Sequence, residues 1–145
     1  MTDKADDTLD PIEAGDYNAD FSTRVVIRPK DFSWAETGMP GVEYKLFEAC
    51  CQPYPRRTLL LRCQPGSVID VQDARLEVEF FVLDGQITDD QGAYPVGTYV
   101  RNPDGSAHAH SEMGCTVFVK LSQIHEDDQQ HRIIDTRRES RWLPG

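Results

Sequence analysis

Apolar and polar residues alternate along much of this chain in short runs broken by turn signals. In GCTVFVKLSQI, Cys115, Val117, Val119 and Leu121 alternate with Thr116, Phe118, Lys120 and Ser122, so the odd-numbered set is expected on the core face of a strand. In LEVEFFVLDG, Leu76, Val78, Phe80 and Val82 make a wholly apolar face, and Glu77, Glu79, Phe81 and Leu83 make the other. Further β-rich runs are RVVIR, VEYKLFEACC, RRTLLLRC, SVIDVQ, YPVGTYV and HRIIDT, separated by PK, GMPG, QPYP, QPG, TDDQG, NPDGS and EMG. The separators hold residues that supply special backbone angles or stop a ladder. Short strands at such spacing predict an all-β sandwich or barrel. No long 3.6-period segment occurs. One short helix is expected at PKDFSWAE, where Pro29 opens it and Asp31 sits in its first turn.

The 145 residues suit one compact domain, which at this size buries roughly 68–70% of its unfolded surface. A composition of 39% hydrophobic and 28% charged residues is globular rather than disordered. No apolar run approaches the ~20 residues that cross a bilayer. MTDKADDTLD has neither a basic n-region nor an apolar h-region, so no secretory signal is expected and the cytoplasm is the default location. A net charge of −10 argues against electrostatic binding to DNA, RNA or an anionic membrane. Seven acidic residues (Asp3, Asp6, Asp7, Asp10, Glu13, Asp16 and Asp20) against Lys4 alone put −6 of that charge in residues 1–20. Residues 1–20 are therefore read as an acidic leader, disordered or loosely docked, and residues 21–145 as the folded domain.

The four cysteines lack the C-x-x-C spacing of a zinc or redox motif. Cys63 and Cys115 lie in apolar strand patterns and are expected to pack as small hydrophobes. Cys50 and Cys51 are adjacent, so on a strand they point to opposite faces.

GTYVRNPDGSAHAHSE sets Gly97, Pro103, Gly105 and His108 at fixed intervals, with Glu112 beyond them. Gly97 allows a tight turn into a strand, Pro103 and Gly105 force the next one, and His108 is expected to begin the returning strand with its ring inward. This pattern resembles the second motif of the cupins. The wider stretch VLDGQITDDQGAYPVGTYVRNPDGSAHAHSEMGCTVFVKL is similar to the cupin domain of the anti-sigma factor ChrR and its free-standing relatives, and DPIEAGDYNADFSTRVV is similar to small acetylacetone-dioxygenase-like cupins. The resemblance implies a single-domain cupin, a double-stranded β-helix or jelly-roll barrel, over roughly residues 20 to 145.

In metal-binding cupins the first motif adds two histidines and a glutamate, a ligand set that suits Zn, Fe, Mn or Ni. In PGSVIDVQDARLEVEFFVLDG the matching positions fall on Gln72, Ala74 and Val78. Three of the four ligand types are missing, and no cofactor is expected. The alternative is a one-residue slip absorbed by a bulge, which turns Asp73 and Glu79 inward beside His108. That slip would put Leu76, Val78, Phe80 and Val82 outside. His108 by itself is read either as a buried neutral imidazole bonded to the backbone or to Gln72, or as a metal or ligand contact; alone it falls short of a usual three-ligand site. His110 shares its parity, while His125 and His131 in HEDDQQHR are expected to be exposed.

The resemblance, with those losses, implies a cupin with a degenerate metal site acting as a small-molecule-binding or regulatory module. Its lumen, lined by Gln72, Ala74, Val78, Phe80, Val82, His108, Val117 and Val119, would hold a small apolar ligand. The alternative is a Zn- or Fe-dependent, dioxygenase-like enzyme acting on a small dicarbonyl compound, for which an open iron site needs two histidines and a carboxylate or a close variant. Phe81, projecting outward from EVEFF, offers an apolar contact, and a homodimer is expected.

Overall fold

The computed structural model describes residues 15–52, 54–73, 76–103 and 105–123. Among them, nine antiparallel strands form one strongly curled sheet: β1 (Ala35–Glu36), β2 (Val42–Cys50), β3 (Arg56–Cys63), β4 (Ser67–Gln72), β5 (Glu77–Asp89), β6 (Gly92–Pro95), β7 (Tyr99–Asn102), β8 (Ser106–Ser111) and β9 (Cys115–Ser122). The strand order is β1-β2-β3-β9-β5-β8-β4, with β6 and β7 also paired to β5. This is the all-β barrel-like architecture that the alternation predicts.

β5 joins the two halves of the curl. Its first part pairs with β9 and β7. After a register shift between Val82 and Asp84, its second part pairs with β6 and, through Thr88, with His110 of β8. A bulge of this kind bends a strand and increases its twist. One core then closes between the halves, drawing Leu59 and Leu61 from β3, Val117, Val119 and Leu121 from β9, Val78, Phe80 and Val82 from β5, and Ile69, Val71, Ala107 and Ala109 from β4 and β8. Full burial of a Leu, Val, Ile or Phe side chain stabilises the fold by roughly 1.5–3 kcal/mol before chain entropy is counted. The expected facing of β5 and β9 is therefore observed in full.

A second bulge lies in β2, where the register with β3 shifts between Leu46 and Glu48. The extra residue, Phe47, turns its ring toward Phe32 and Phe118, with centroids 5.8 and 6.3 Å away. Residues 15–20 dock beside this bulge. Tyr17 and Ala49 exchange two backbone hydrogen bonds of 2.8 Å, Asn18 Nδ2 donates to the Phe47 carbonyl at 2.9 Å, and Arg56 Nη2 donates to the Ala19 carbonyl at 2.9 Å.

Several elements differ from the sequence reading. RVVIR forms no strand with the described residues: residues 24–28 have no ladder partner among them, and Val25 and Val26 stay exposed. Three consecutive apolar residues there do not alternate, so no single face exists to bury. The helix at PKDFSWAE is one 3-10 turn, Pro29–Asp31, closed by the Arg28 N–H donating to Asp31 Oδ2 at 2.8 Å; Ala35 and Glu36 leave it to pair with β2. YPVGTYV splits into β6 and β7 around a turn in which the Thr98 N–H donates to the Pro95 carbonyl. HRIIDT, His125 and His131 lie outside the described residues. Among the described residues no helix is long and apolar enough to cross a membrane.

Candidate functional site

β8 decides where the motif histidine points. Its sequence SAHAHS alternates small and imidazole side chains, and the strand buries Ala107, Ala109 and Ser111 while exposing Ser106, His108 and His110. The expectation that the His108 ring enters the lumen is thus corrected: its side chain is 77% exposed. The physical reason is the strand period of two. Ala107 and Ala109 line the interior together with Phe80, so His108 between them and His110 beyond must face the other way.

β4 repeats the correction. Ile69 and Val71 are buried, whereas Gln72, expected in the lumen, is exposed. Of the other expected lumen residues, Val78, Phe80, Val82, Val117 and Val119 are buried in the core, and Ala74 lies outside the described residues. The register slip does not occur, because Val78, Phe80 and Val82 remain inside. Glu79 points to the outer face, where its Oε2 accepts a short hydrogen bond from the Tyr99 hydroxyl and Arg101 lies 3.9 Å away. Asp73 anchors a turn instead: its N–H donates to the Gly105 carbonyl and its carbonyl accepts from the Leu76 N–H.

The barrel interior is accordingly apolar. Leu61, Ile69, Val71, Val78, Phe80, Ile87, Ala107, Ala109, Val117 and Val119 surround a void of only about 10 Å³. A space of that size admits one water at most, and a lining with no polar side chain gives it no partner. The side chains present do not fit a metal, since none of these ten can ligate a divalent ion. Among the described residues no group of three or more His, Cys, Asp or Glu converges on one point.

The polar side chains gather on the outside. Asp89, Asp90 and Gln91 from the β5–β6 turn, Asn102 from the end of β7, and Ser106, His108 and His110 from β8 line an open cleft of about 490 Å³. His110 sits directly opposite Thr88, and His108 directly opposite Asp70. His108 Nδ1 lies 3.7 Å from Asp70 Oδ1, an oxygen that is itself buried and accepts no hydrogen bond from the described residues. Asp89 Oδ1 is firmly held, accepting from the Tyr94 hydroxyl at 2.7 Å and from the Gln91 N–H at 2.8 Å. The bond to Asp89 is the main cause holding the Tyr94 phenol above its ordinary pKa, and burial and the charges of Asp89 and Asp90 push the same way. Two imidazoles, two carboxylates, two amides and a hydroxyl can recognise a small polar molecule through donors and acceptors. The motif reading missed this cleft. The signal was the alternation in SAHAHS, which puts both histidines on the face opposite the alanines.

Gly105 shows what the motif does in this chain. It has φ +79°, and a Cβ there would lie 1.9 Å from the Asp73 carbonyl oxygen. Only glycine permits that approach, which seats the turn before β8 on the end of β4.

A family profile described as the ChrR Cupin-like domain matches residues 22–125. Among solved structures, the chain is similar to a putative acetylacetone dioxygenase from Methylibium petroleiphilum PM1, with 12% identity and a TM-score of 0.57, covering 84% of this chain and 96% of that one. An acetylacetone dioxygenase from Acinetobacter johnsonii matches at 14% identity and a TM-score of 0.55, over 83% and 91% of the two chains. KdgF from Halomonas sp. matches at 15% identity and a TM-score of 0.56, over 72% and 98%. No curated protein matches the chain. At these identities the structural likenesses establish the fold.

Proposed function

The chain belongs to the ChrR cupin-like family, and from that premise we propose that it is a binding or regulatory module, with a degenerate metal site, whose recognition site is the polar cleft outside β8. The observation that carries this reading is the interior: every side chain lining its residual void is apolar. Of the positions matched to the cupin ligands, Val78 packs in the core while Gln72 and His108 face outward, so a Zn- or Fe-dependent oxygenase would lack its centre. The cleft offers His108, His110, Asn102, Ser106, Gln91, Asp89 and Asp90, which suits a small polar ligand with both donors and acceptors. A cytoplasmic setting and a homodimeric state belong to the same proposal. The dimer contact is the belt Leu60, Phe118, Phe81 and Tyr99, which runs in register across β3, β9, β5 and β7 on the outer face.

Two measurements test the reading. Protein expressed with Fe, Mn and Zn supplements is expected to carry substoichiometric metal by elemental analysis, unchanged in His108→Ala. Stoichiometric metal that His108→Ala removes would overturn it. In a thermal-shift screen of small polar compounds, stabilising hits are expected to lose their effect in a His108→Ala/His110→Ala double variant. Hits that survive that change would place the site elsewhere.

A further inference from the structure

The structure holds a feature that the cupin motif does not use. Cys63, the last residue of β3, and Cys115, the first of β9, are direct partners in the antiparallel ladder. Both are 4% exposed and belong to the core cluster, so their side chains leave the same face of the sheet. The ladder from Arg56↔Ser122 to Cys63↔Cys115 has no register shift, and just beyond it the Gln123 N–H donates to the Pro55 carbonyl. Counting in twos from that bonded pair makes Cys63 and Cys115 a hydrogen-bonded pair as well, whose Cα atoms stand about 5.5 Å apart. That lies inside the ~4.4–6.8 Å range a disulfide needs. The two thiols are close enough to shift each other's titration. They sit at the rim, where the exposed residues Gln64, Pro65, Gly66 and Met113 surround the strand ends, so a small oxidant has a short path to them.

We propose that Cys63 and Cys115 are a redox-active dithiol that a hydroperoxide closes into an intramolecular disulfide between β3 and β9. Cys115 is the attacking sulfur. The Cys63 thiol beside it holds its pKa below the ordinary thiol value, at about 7, and Ser111 adds to this, while burial and the Asp84 charge oppose it. Cys63 is pushed up, first by Cys115 and then by burial, so it keeps its proton. The Cys115 thiolate attacks the terminal peroxide oxygen, the O–O bond breaks, and the alkoxide leaves as alcohol after taking up the proton Cys115 had released. This makes a sulfenic acid on Cys115. The Cys63 sulfur then attacks the Cys115 sulfur, the S–S bond forms, and hydroxide leaves as water with the Cys63 proton. Two thiols and one hydroperoxide give one disulfide, one alcohol (water, when the oxidant is hydrogen peroxide) and one water. Cys50 stands apart from this pair, donating its thiol proton to the Gln52 carbonyl at 3.0 Å.

The test treats the reduced, full-length protein with hydrogen peroxide, blocks the remaining thiols and maps peptides by mass spectrometry. The expected product has lost two hydrogens, carries a Cys63–Cys115 linkage and retains alkylated Cys50 and Cys51. Closure is expected to accelerate as pH rises through about 7 rather than through the ordinary thiol value of 9.0. Cys63→Ser is expected to accumulate a dimedone-reactive sulfenic acid at Cys115. A Cys50→Ser/Cys51→Ser variant is expected to form the same bridge, which keeps the test open if Cys63→Ser does not fold. Four thiols that all remain alkylatable would overturn the proposal, as would a linkage through Cys50 or Cys51, or sulfinic acid on Cys115 with Cys63 still free.

Discussion

Glu48 is a buried carboxylate beside the β2 bulge, held by the side chains around it. Arg56 Nε donates to its Oε1 at 3.0 Å, the Thr58 hydroxyl donates to its Oε2 at 2.6 Å, and Lys120 Nζ donates to Thr58 Oγ1 at 3.3 Å. Its side chain is 11% exposed, so removing it strands a partly buried guanidinium. Glu48→Ala is expected to cost about 1–3 kcal/mol, read as a lower urea midpoint with an unchanged slope. Glu48→Gln should cost less, because the amide oxygen still accepts from Thr58. The two motif glycines make a sharper pair. Gly105→Ala drives a Cβ into two carbonyl oxygens, those of Asp73 and Leu76, whereas Gly97 has φ +94° and nothing within 4 Å of its Cβ position. Gly97→Ala is expected to cost about 1–2 kcal/mol from backbone strain alone, and Gly105→Ala about 2–4 kcal/mol or failure to fold. Thermal unfolding of both variants reads the difference. His108→Ala, by contrast, should shift stability by less than about 0.5 kcal/mol, because its ring is solvated; a loss of about 2 kcal/mol or more would mean the imidazole is buried after all.

At the level of elements, β5 carries the fold, because its bulge passes one strand from the β9–β7 half to the β8–β6 half. Its facing was readable in advance: Leu76, Val78, Phe80 and Val82 form so apolar a face that a slip by one residue would expose all of it. Val82 is fully buried and its neighbour Leu83 is 46% exposed. Val82→Ala is expected to cost about 1.5–3 kcal/mol and Leu83→Ala less than about 0.5 kcal/mol by chemical denaturation; equal effects would contradict the register. β8 was harder to read. Its inward residues are alanines, which carry weak apolar signal, and the motif pulled attention to the histidine between them. The short runs failed for another reason. RVVIR has strand-forming residues but pairs with no strand among the described residues, and strand propensity without a pairing edge decides little.

For the whole molecule, the two faces of the curled sheet have separate roles. Inside, large residues such as Phe80 meet the small side chains of Ala107 and Ala109 around a void of about 10 Å³. Outside, the β4–β8 half presents the polar cleft, and the β3–β9–β5–β7 half presents the belt of Leu60, Phe118, Phe81 and Tyr99, with Phe47 stacked on Phe118. Light scattering at micromolar protein is expected to give a dimer mass, and a Phe81→Glu/Phe118→Glu variant a monomer with near-native thermal stability. A wild-type monomer would refute the belt as an interface.

The sequence alone determined the all-β class, most of the long strands, the facing of β5 and β9, the burial of Cys63 and Cys115, and the family, because a period of two and motif spacing are local properties of the chain. It also put Gln72, Ala74 and Val78 at the positions where metal-binding cupins carry two histidines and a glutamate. Only the tertiary structure decided that His108 points outward, that a cleft forms beside it from the TDDQG turn and β8, and that Cys63 and Cys115 stand opposite each other. These outcomes depend on which strands pair and in what register. Pairing is a competition between distant segments for one core, and residues far apart in sequence settle it together.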